Sequence, residues 1–460
     1  MEVKNVKGTK DLYGEEVTNF NYIEGVMSSV SSLFGFKEMR PPVLEHSEVF
    51  VRGVGEGSDV VRKEMYTFLD KGERSLTLRP EFTAGIMRLI VQNKLYATEP
   101  LPIKAFYMGP VFRYERPQLG RYRQFNQFGV ECVGGSSLYH DVEVILLGYC
   151  ILNTLGLENV TLKINTLGDD ESRNNYRQAL KDFFKDKIEG MCEDCKSRYE
   201  INPLRILDCK VPEDQEIVKD APKMMNYLSL ESKQRFDQVL GQLEMLNIPF
   251  EVDDNLVRGL DYYSETVFEF HYTSKKGVNY GAIGAGGHYD KLIAEFGGPE
   301  LPGVGFSFGI ERVASILKDD ELNIPDENVM ISILPMKAEY NSQAAQFALS
   351  LRLNGYSAEV NYDGGKVASM IKRAVRIGAK VALIIGEDEV KNGTIVVKNL
   401  ESGEQQNVEL NKLNEALDAI LQKDECDDPN CGCHEHEDDE CCHEHHHHDG
   451  ECCHHQNKDK

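Results

Sequence analysis

The spacing of hydrophobic and polar positions changes several times along the chain and divides it into regions. In residues 1–167, strand-like runs such as SLTLRP alternate with helical patterns such as EFTAGIMRLIVQNKLY. The polar turn RPQLG separates two strand-like runs, IKAFYMGPVFRYE and RYRQFNQFGVECVG, and this arrangement predicts an antiparallel hairpin. We therefore expect residues 1–167 to form the first part of a domain built on an antiparallel sheet.

The pattern changes character after residue 167. Residues 168–241 are charged and helix-forming, which indicates a helical insertion, and residues 242–322 return to strands and glycines that complete the first domain. In residues 327–423, strands alternate with helices at the spacing of a small α/β domain. Residues 424–460 have no apolar periodicity, so we expect them to be disordered without metal. The predicted fold is an α+β domain with a helical insertion, followed by a small α/β domain.

The formal net charge of −25 argues against a nucleic-acid partner if the charge is spread evenly along the chain, so its distribution matters. Thirteen acidic side chains against two lysines give residues 424–460 a net charge of −11, and −14 is spread over the rest. The body is therefore mildly acidic and has room for local basic surfaces. No apolar run is long enough to span a bilayer and the N-terminus has no secretory core, so we expect a cytoplasmic protein with no membrane partner.

The second strand of the predicted hairpin has an unusually polar face. Because strand side chains alternate, one face carries Arg121, Arg123, Phe125, Gln127, Gly129 and Glu131. The first strand adds Arg113, with Glu115 and Arg116 at the turn. A solvated sheet surface explains one such strand equally well. Clustered guanidinium groups beside carboxylates are also typical of a binding site for an anionic ligand that carries an amine or imidazole.

Four further segments carry polar residues where a core would be apolar. The residues are Glu81 and Thr83 in LRPEFTAG, Arg258 and Tyr263 in LVRGLDYYSETVFEF, Tyr289 in GAGGHYD, and Arg312 in GVGFSFGIER. Each alone is more often structural, but their number favours a binding site. The chain contains neither G-x-x-x-x-G-K-[ST] nor G-x-G-x-x-G between a strand and a helix. A bound nucleotide would therefore lie on an arginine-lined antiparallel sheet.

From its first residues to about 423, the chain resembles bacterial histidyl-tRNA synthetases. The segments GFKEMRPPVLE, FRYERPQLGRYRQF and GFSFGIER resemble the three class II motifs, and LVRGLDYY and AGGHYD resemble the two histidine signatures. The resemblance implies a class II synthetase fold with an anticodon-binding domain at 327–423. It also implies a homodimer that activates L-histidine with ATP and Mg²⁺ and transfers it to the 3′ end of the histidine tRNA.

The resemblance assigns a role to each candidate residue. Arg113 would hold the α-phosphate, with Arg312 at the adenine and γ-phosphate and with Glu115 and Arg121 assisting at the nucleotide. Glu81, Thr83 and Gln127 would bind the α-amino group of histidine, and Glu131, Tyr263 and Tyr289 would line the imidazole pocket. Arg258 would contact the substrate carboxylate and the α-phosphate, so that Arg113 and Arg258 are the catalytic pair. Arg116 and Gln118 would meet the tRNA acceptor end. His288 stands where the family usually has arginine, and we interpret it as structural or peripheral.

Cysteine and histidine are concentrated in two places. Cys192-x-x-Cys195 and Cys209 lie in the insertion, and a structural zinc site there would need a fourth ligand. No fourth Cys or His is near them in sequence, so we expect buried or free thiols and keep zinc as the alternative. Residues 424–460 hold seven cysteines and nine histidines, a composition that suits Zn²⁺, Ni²⁺ or Cu⁺. The candidate ligands are Cys426, Cys431, Cys433, His434, His436, Cys441, Cys442, His443, Cys452 and Cys453.

Two other functions are compatible with parts of the sequence. The first is a non-catalytic paralogue that regulates ATP phosphoribosyltransferase, but such paralogues lack the anticodon domain. The second is a metal-handling protein, which would leave the arginine-rich hairpin and LVRGLDYY unexplained. Aminoacylation is therefore the favoured interpretation, and metal handling by the tail would be a secondary property.

Overall fold

A computed structural model describes residues 3–55, 58–115, 122–258, 262–322, 324 and 330–421. The chain forms two compact units, Met1–Ile324 and Pro325–Lys460. Within the described residues, no helix is both long and apolar enough to cross a membrane. The predicted α+β unit and the small α/β unit after it are confirmed, whereas the finer division into five segments remains a prediction.

The described residues of the first unit form eleven strands in two sheets. The strands are β1 (Lys37–Glu38), β2 (Leu44–His46), β3 (Tyr66–Leu69), β4 (Ser75–Leu78), β5 (Ile103–Phe112), β6 (Gln124–Val133), β7 (Val160–Thr166), β8 (Phe250–Val252), β9 (Ser264–Thr273), β10 (Asn279–Tyr289) and β11 (Gly303–Gly309). Eight of them form one sheet in the order β1-β5-β6-β11-β10-β9-β7-β8, and the other three form a sheet in the order β2-β4-β3. The larger sheet is antiparallel except at its two outer pairs, β1 with β5 and β7 with β8.

Eleven α-helices surround these sheets in the described part of the first unit. They are α1 (Glu15–Leu33), α2 (Ser47–Val54), α3 (Thr83–Gln92), α4 (Leu95–Thr98), α5 (Tyr139–Thr154), α6 (Asp170–Phe184), α7 (Glu193–Ile201), α8 (Pro212–Val218), α9 (Leu230–Met245), α10 (Leu292–Glu295) and α11 (Ile310–Asp319). Helices α6 to α9 lie between β7 and β8 in the chain, where the sequence predicts the insertion. They have a core of their own, to which Tyr176, Leu180 and Phe184 contribute.

The predicted hairpin is formed by β5 and β6, which pair from Ile103 with Val133 to Phe112 with Gln124. Its two faces differ, as the alternation predicts. Phe128 and Val130 of β6 enter the large core, which also contains residues of α1, α5 and α11. Phe125 and Val133 point to the opposite face, where a smaller core includes residues of α3. Alternation places Gln127 and Glu131 on this second face.

The second unit is a five-stranded sheet with helices. Its strands are β12 (Met330–Pro335), β13 (Ser357–Val360), β14 (Ala379–Ile385), β15 (Thr394–Asn399) and β16 (Gln405–Glu409), and its helices are α12 (Asn341–Leu353), α13 (Val367–Arg376), α14 (Glu387–Asn392) and α15 (Leu413–Leu421). The strand order is β13-β12-β14-β15-β16, in which the first three strands are parallel and the last two pairs are antiparallel. Parallel strands joined by helices account for the continuous apolar runs VMISILP and VALIIG.

Candidate active site

The centre of the candidate site is the buried carboxyl group of Glu131 on β6, which is 1% exposed. Its Oε1 atom accepts hydrogen bonds from the hydroxyl of Thr83 at 2.7 Å and from that of Tyr107 at 3.1 Å. Its Oε2 atom accepts a hydrogen bond from the hydroxyl of Tyr289 at 2.7 Å. Three hydroxyl groups from α3, β5 and β10 therefore converge on one carboxyl group, and the sequence singled out two of them.

The protonation of Glu131 is finely balanced. Burial raises its pKa, the hydrogen bonds from Tyr289 and Thr83 oppose that rise, and the pKa comes to about 7. A carboxyl group with this pKa can present either an acceptor or a donor to a ligand near neutral pH. Imidazole needs this adaptability, because each of its nitrogens is a donor or an acceptor according to its own protonation.

A second buried carboxyl group, that of Glu81, lies at the start of α3. It accepts hydrogen bonds from the backbone N–H groups of Thr83 at 2.6 Å and Ala84 at 2.9 Å. Burial raises its pKa, and the charge of Arg113 acts in the opposite direction. Two backbone N–H groups at the start of the helix, which have no acceptor within the helix itself, therefore hold Glu81 in place.

Gln127, like Glu81, carries a buried hydrogen-bond acceptor that fits a ligand group with hydrogen bonds to donate. Its Nε2 donates to the hydroxyl of Ser307 at 2.9 Å, which leaves Oε1 as the free end of the amide. Oε1 is buried and has no hydrogen-bond partner among the described residues. A buried acceptor without a partner costs about 1–3 kcal/mol, so its position favours a ligand that donates a hydrogen bond.

Tyrosine rings form one wall beside Glu131. The rings of Tyr262 and Tyr263 are 4.5 Å apart with their hydroxyls 3.4 Å apart, and Tyr262 meets the edge of Tyr289 at 5.7 Å. Burial raises the pKa of Tyr263, and the negative charges of Glu131 and Glu81 act in the same direction. The wall therefore presents flat apolar surface together with hydroxyl groups, which is the surface a planar polar ring requires.

Arg258 is fixed at the edge of this wall by a carboxylate. Its Nη1 donates to Glu269 Oε1 at 2.6 Å, and its guanidinium carbon lies 5.7 Å from the centre of the Tyr263 ring. The other oxygen of Glu269 lies 2.9 Å from His271 Nε2. Burial alone would raise the pKa of Glu269, but His271 and Arg258 lower it below its ordinary value. Glu269 therefore stays charged and orients Arg258.

Two more of the predicted arginines lie just after the ends of β5 and β11. Arg113 follows β5, donates from Nε to the carbonyl of Pro80 at 2.8 Å, and lies 5.5 Å from the centre of the Phe125 ring. Arg312 lies in the first turn of α11 and donates from Nη1 to the carbonyl of Ala282 at 2.8 Å. The residue before α11, Gly309, pairs with Gln127, which brings this helix to the end of the site that Gln127 occupies.

The comparisons with known proteins agree with this geometry. A family described as "Histidyl-tRNA synthetase" matches residues 8–313, and one described as "Anticodon binding domain" matches residues 329–420. The chain belongs to the histidyl-tRNA synthetase family. It is 44% identical over 420 residues to the histidine–tRNA ligase of Anoxybacillus flavithermus, a match that covers 90% of this chain and 99% of the relative.

The fold of this family member is similar to that of two solved structures. The apo histidyl-tRNA synthetase of S. aureus superposes with a TM-score of 0.77 at 36% identity, covering 90% of this chain and 99% of that one. A protein from Bacillus halodurans, described as an ATP phosphoribosyltransferase regulatory subunit/histidyl-tRNA synthetase, superposes with a TM-score of 0.59 at 20% identity, covering 81% of this chain and 97% of that one. The second likeness shows the fold alone.

Some predicted residues of this synthetase-family chain lie outside the described residues. They are Arg116, Gln118 and Arg121 in the hairpin turn and the whole tail from 424 to 460. Glu115 is described and half-buried, and its carbonyl accepts a hydrogen bond from Arg123 Nε at 3.3 Å. The described structure therefore brings together Glu81, Thr83, Glu131 and Tyr289 by direct contact and places the remaining described candidates around them.

Several site residues of this family member were missed in the sequence. Tyr107 lies six residues before Arg113 on β5, so alternation from Arg113 would have placed both on one face. Tyr262 is adjacent to Tyr263 in LVRGLDYY, and the resemblance assigns a role to the second tyrosine alone. Glu269 had no local signal, because its importance depends on its contact with Arg258, which lies outside β9.

A glycine in β11 makes room for the central carboxyl group. Gly305 pairs with Glu131 across the sheet, and a Cβ atom added there would lie 2.1 Å from Glu131 Oε2 and 2.4 Å from the carbonyl of Val130. Real Cβ atoms do not approach other atoms so closely. Glycine at this position thus lets the carboxyl group stand against the neighbouring strand.

His288, the departure from the family's usual sequence, is buried in an ionic network. Its Nδ1 lies 2.8 Å from Asp141 Oδ1 and its Nε2 lies 3.1 Å from Asp290 Oδ1. Asp141 also accepts a hydrogen bond from Arg235 Nη2 at 2.8 Å, and Asp290 accepts one from the hydroxyl of Ser264 at 2.6 Å. These contacts agree with the expected structural role. Each ring nitrogen of His288 therefore faces a carboxylate.

Proposed function

We propose that this chain is a histidine–tRNA ligase. It activates L-histidine with ATP to histidyl-adenylate and pyrophosphate, and then transfers the histidyl group to the 3′ end of the histidine tRNA. The single observation that carries the proposal is the buried Glu131, on which the hydroxyls of Thr83, Tyr107 and Tyr289 converge. A buried polar arrangement of this kind matches a substrate ring that both donates and accepts hydrogen bonds.

The amino-acid pocket separates the two ends of histidine. Glu131 receives the N–H of the imidazole ring, and Tyr263 hydrogen-bonds its other nitrogen, with Tyr289 lining the pocket. Glu81 and the free Oε1 of Gln127 accept hydrogen bonds from the α-ammonium group. An amino acid without ring nitrogens would form no hydrogen bond with Glu131 or Tyr263, and sites built to hydrogen-bond a substrate reject such analogues by factors of about 10⁴.

Activation joins two anions, so the proposed chemistry depends on fixed positive charge. A carboxylate oxygen of histidine attacks the α-phosphorus of ATP, a new P–O bond forms, and the bond to the pyrophosphate oxygen breaks. Arg258 contacts both the attacking carboxylate and the α-phosphate, Arg113 holds the α-phosphate, and Arg312 holds the adenine and the departing pyrophosphate. Groups already fixed before the reaction, as Glu269 fixes Arg258, stabilise developing charge by about 3–4 kcal/mol each.

Nucleotide and tRNA contacts extend beyond this centre. Glu115 and Arg121 assist ATP, which arrives as its Mg²⁺ complex. Mg²⁺ neutralises phosphate charge and typically keeps several waters, so that one or two protein carboxylates such as Glu115 are sufficient for it. Arg116 and Gln118 contact the acceptor end of the histidine tRNA, and the domain at 327–423 binds the anticodon. The protein acts as a homodimer in the cytoplasm.

The proposal is tested by ATP–pyrophosphate exchange with each of the twenty amino acids in turn. Exchange with histidine alone, lost in Arg258→Ala, would support both the reaction and the specificity. A folded protein without exchange would favour the regulatory paralogue of ATP phosphoribosyltransferase. The match of residues 329–420 to an anticodon-binding domain already disfavours that paralogue. Histidine acceptance by purified histidine tRNA then tests the transfer step.

We also propose that the tail binds metal independently of catalysis. Its seven cysteines and nine histidines offer thiolate and imidazole ligands to Zn²⁺, Ni²⁺ or Cu⁺. Removing residues 424–460 should lower the metal content of the reconstituted protein and leave histidine-dependent exchange unchanged. Equal metal content with and without the tail would refute this part of the proposal.

A further inference from the structure

The helical insertion brings together four metal-ligating side chains that are separated in the sequence. The sulfur atoms of Cys192, Cys195 and Cys209 and a carboxylate oxygen of Asp214 all lie within 4.8 Å of one another. Cys195, Cys209 and Asp214 are 0%, 4% and 2% exposed, and Cys192 is half-buried. Asp214 completes the cluster with a carboxylate, a ligand type that the spacing of cysteine and histidine does not reveal.

Two distances in this cluster are close to those of a tetrahedral site. Zinc–sulfur bonds of about 2.3 Å at tetrahedral angles hold two sulfur atoms about 3.8 Å apart. The Sγ atoms of Cys192 and Cys209 lie 3.8 Å apart, too far for a disulfide. For one sulfur and one carboxylate oxygen the same geometry requires about 3.5 Å, and the distance from Cys209 Sγ to Asp214 Oδ2 is 3.2 Å.

The backbone around the cluster supports negatively charged ligands. Cys192 is the N-cap residue of α7 and Cys195 lies in its first turn, where the positive end of the helix dipole stabilises thiolates. The backbone N–H of Cys192 donates to Asp214 Oδ2 at 3.1 Å, and Gln215 Nε2 donates to the carbonyl of Cys209 at 3.1 Å. Outer contacts of this kind orient the ligands of structural metal sites.

We propose that Cys192, Cys195, Cys209 and Asp214 form a structural zinc site. All four positions are filled by protein, so the ion has no open position for substrate or water, as is usual for structural zinc. The site connects the start of α7, the end of the 3-10 helix Pro203–Asp208 and the start of α8 within the core of the insertion. Zinc is the ion that favours a tetrahedral arrangement of three thiolates and one carboxylate.

The site would also fix the contact between the insertion and the segment before β3. Asp194 of α7 pairs with Lys63 at 3.0 Å, and Arg198 of α7 pairs with Asp59 at 3.3 Å. From the turn after α7, Arg205 reaches the same Asp59 at 3.0 Å. Because the proposed ligands flank these residues, loss of zinc would release both elements that hold Asp59.

The test must separate this site from the tail. We would make a full-length chain in which the seven cysteines and nine histidines of residues 424–460 are replaced by serine, purify it without oxygen, and measure its metals by mass spectrometry. The expected result is one zinc ion per chain, and replacement by Co²⁺ should give the visible absorption of tetrahedral thiolate coordination. A metal-free, folded chain, or one with a Cys192–Cys209 disulfide, would overturn the proposal without any variant of the site itself.

Matched substitutions in the same tail-replaced chain then identify the ligands. Cys195→Ser and Cys209→Ser should lose the zinc ion, whereas Cys150→Ser, at a half-buried cysteine of α5 outside the cluster, should retain it. Asp214→Asn should weaken zinc retention against a chelator by more than the about 10- to 100-fold typical of outer-sphere changes. Asp214→Cys should strengthen retention. Zinc that survives Cys195→Ser and Cys209→Ser would place the ion elsewhere.

Discussion

His288 Nδ1 lies 2.8 Å from Asp141 Oδ1, and the two side chains are only 4% and 0% exposed. Burial alone would lower the pKa of His288, but Asp141 and Asp290 reverse this effect and raise it to about 9. The pKa of Asp290 is lowered to about 2, since the contacts with His288 outweigh the opposing effect of burial. The imidazolium form is therefore a structural cation at neutral pH.

This relationship predicts a pH-dependent stability. The folded pKa of about 9 lies above the unfolded value of about 6.5. The stabilisation is therefore fully present below about pH 6.5 and is lost as the pH rises through about 9, by an amount on the order of 3 kcal/mol at most. In urea unfolding followed by circular dichroism, the wild-type chain should lose stability over this range relative to His288→Arg, whose charge does not titrate.

The two chains are compared by how their free energies of unfolding change with pH. Their absolute stabilities differ for packing reasons, because arginine is larger than histidine and the site is buried. His288→Asn, which has no charge to lose, should be less stable than the wild-type chain at pH 6 and should approach it at pH 9. Parallel stability curves for the wild-type and arginine chains between pH 6.5 and 9 would contradict the assignment.

Glu131→Gln should affect histidine far more than ATP. The substitution keeps the shape but replaces one acceptor oxygen by an NH₂ group, which then faces hydroxyls that now donate to the carboxylate. We expect kcat/KM for histidine in the exchange reaction to fall by about 100-fold or more, while KM for ATP changes little. Asp320→Asn is a matched control, because Asp320 is also buried and also accepts from a tyrosine hydroxyl, that of Tyr272. Equal losses in both variants would mean that Glu131 is only structural.

The sequence predicted which residues of a strand share a face, but it did not predict which strands lie next to each other in the sheet. Alternation along β6 places Gln127 and Glu131 on one face, because that rule depends only on local backbone geometry. The contact between Glu131 and Tyr289 depends on β11 lying between β6 and β10, a strand order that no local pattern encodes. Asp214 was overlooked for a chemical reason, since only cysteine and histidine were counted as zinc ligands.

Gly305→Ala should impair both folding and histidine binding. The added methyl group would lie 2.1 Å from Glu131 Oε2, so the carboxyl group or the strand must move. Overpacking of this kind typically costs about 1–3 kcal/mol, and the displaced carboxyl group should raise KM for histidine. Gly241→Ala is the control: Gly241 lies within α9 with no atom within 4 Å of the added Cβ, so alanine should stabilise by about 0.5–1 kcal/mol. Thermal unfolding and exchange kinetics measure the two effects.

Glu269 should act as a positioning residue for Arg258. It accepts a hydrogen bond from Arg258 Nη1 at 2.6 Å and keeps its own charge through His271, so Glu269→Gln would leave the guanidinium in place but less firmly oriented. Loss of a charged hydrogen bond is worth about 1.5–3 kcal/mol. We expect kcat for exchange to fall about 10- to 100-fold with small changes in KM, because Arg258 contributes mainly when charge develops at the α-phosphate.

Two comparisons distinguish this role from a general loss of stability. Glu269→Asp should recover part of kcat, since a carboxylate remains within reach of the guanidinium, whereas Arg258→Ala combined with Glu269→Gln should be no worse than Arg258→Ala alone. Glu143→Gln breaks a different partly buried pair, with Lys104 at 2.7 Å, and should leave kcat unchanged. An effect of Glu269→Gln that persists undiminished in the Arg258→Ala background would show that Glu269 acts through something other than Arg258.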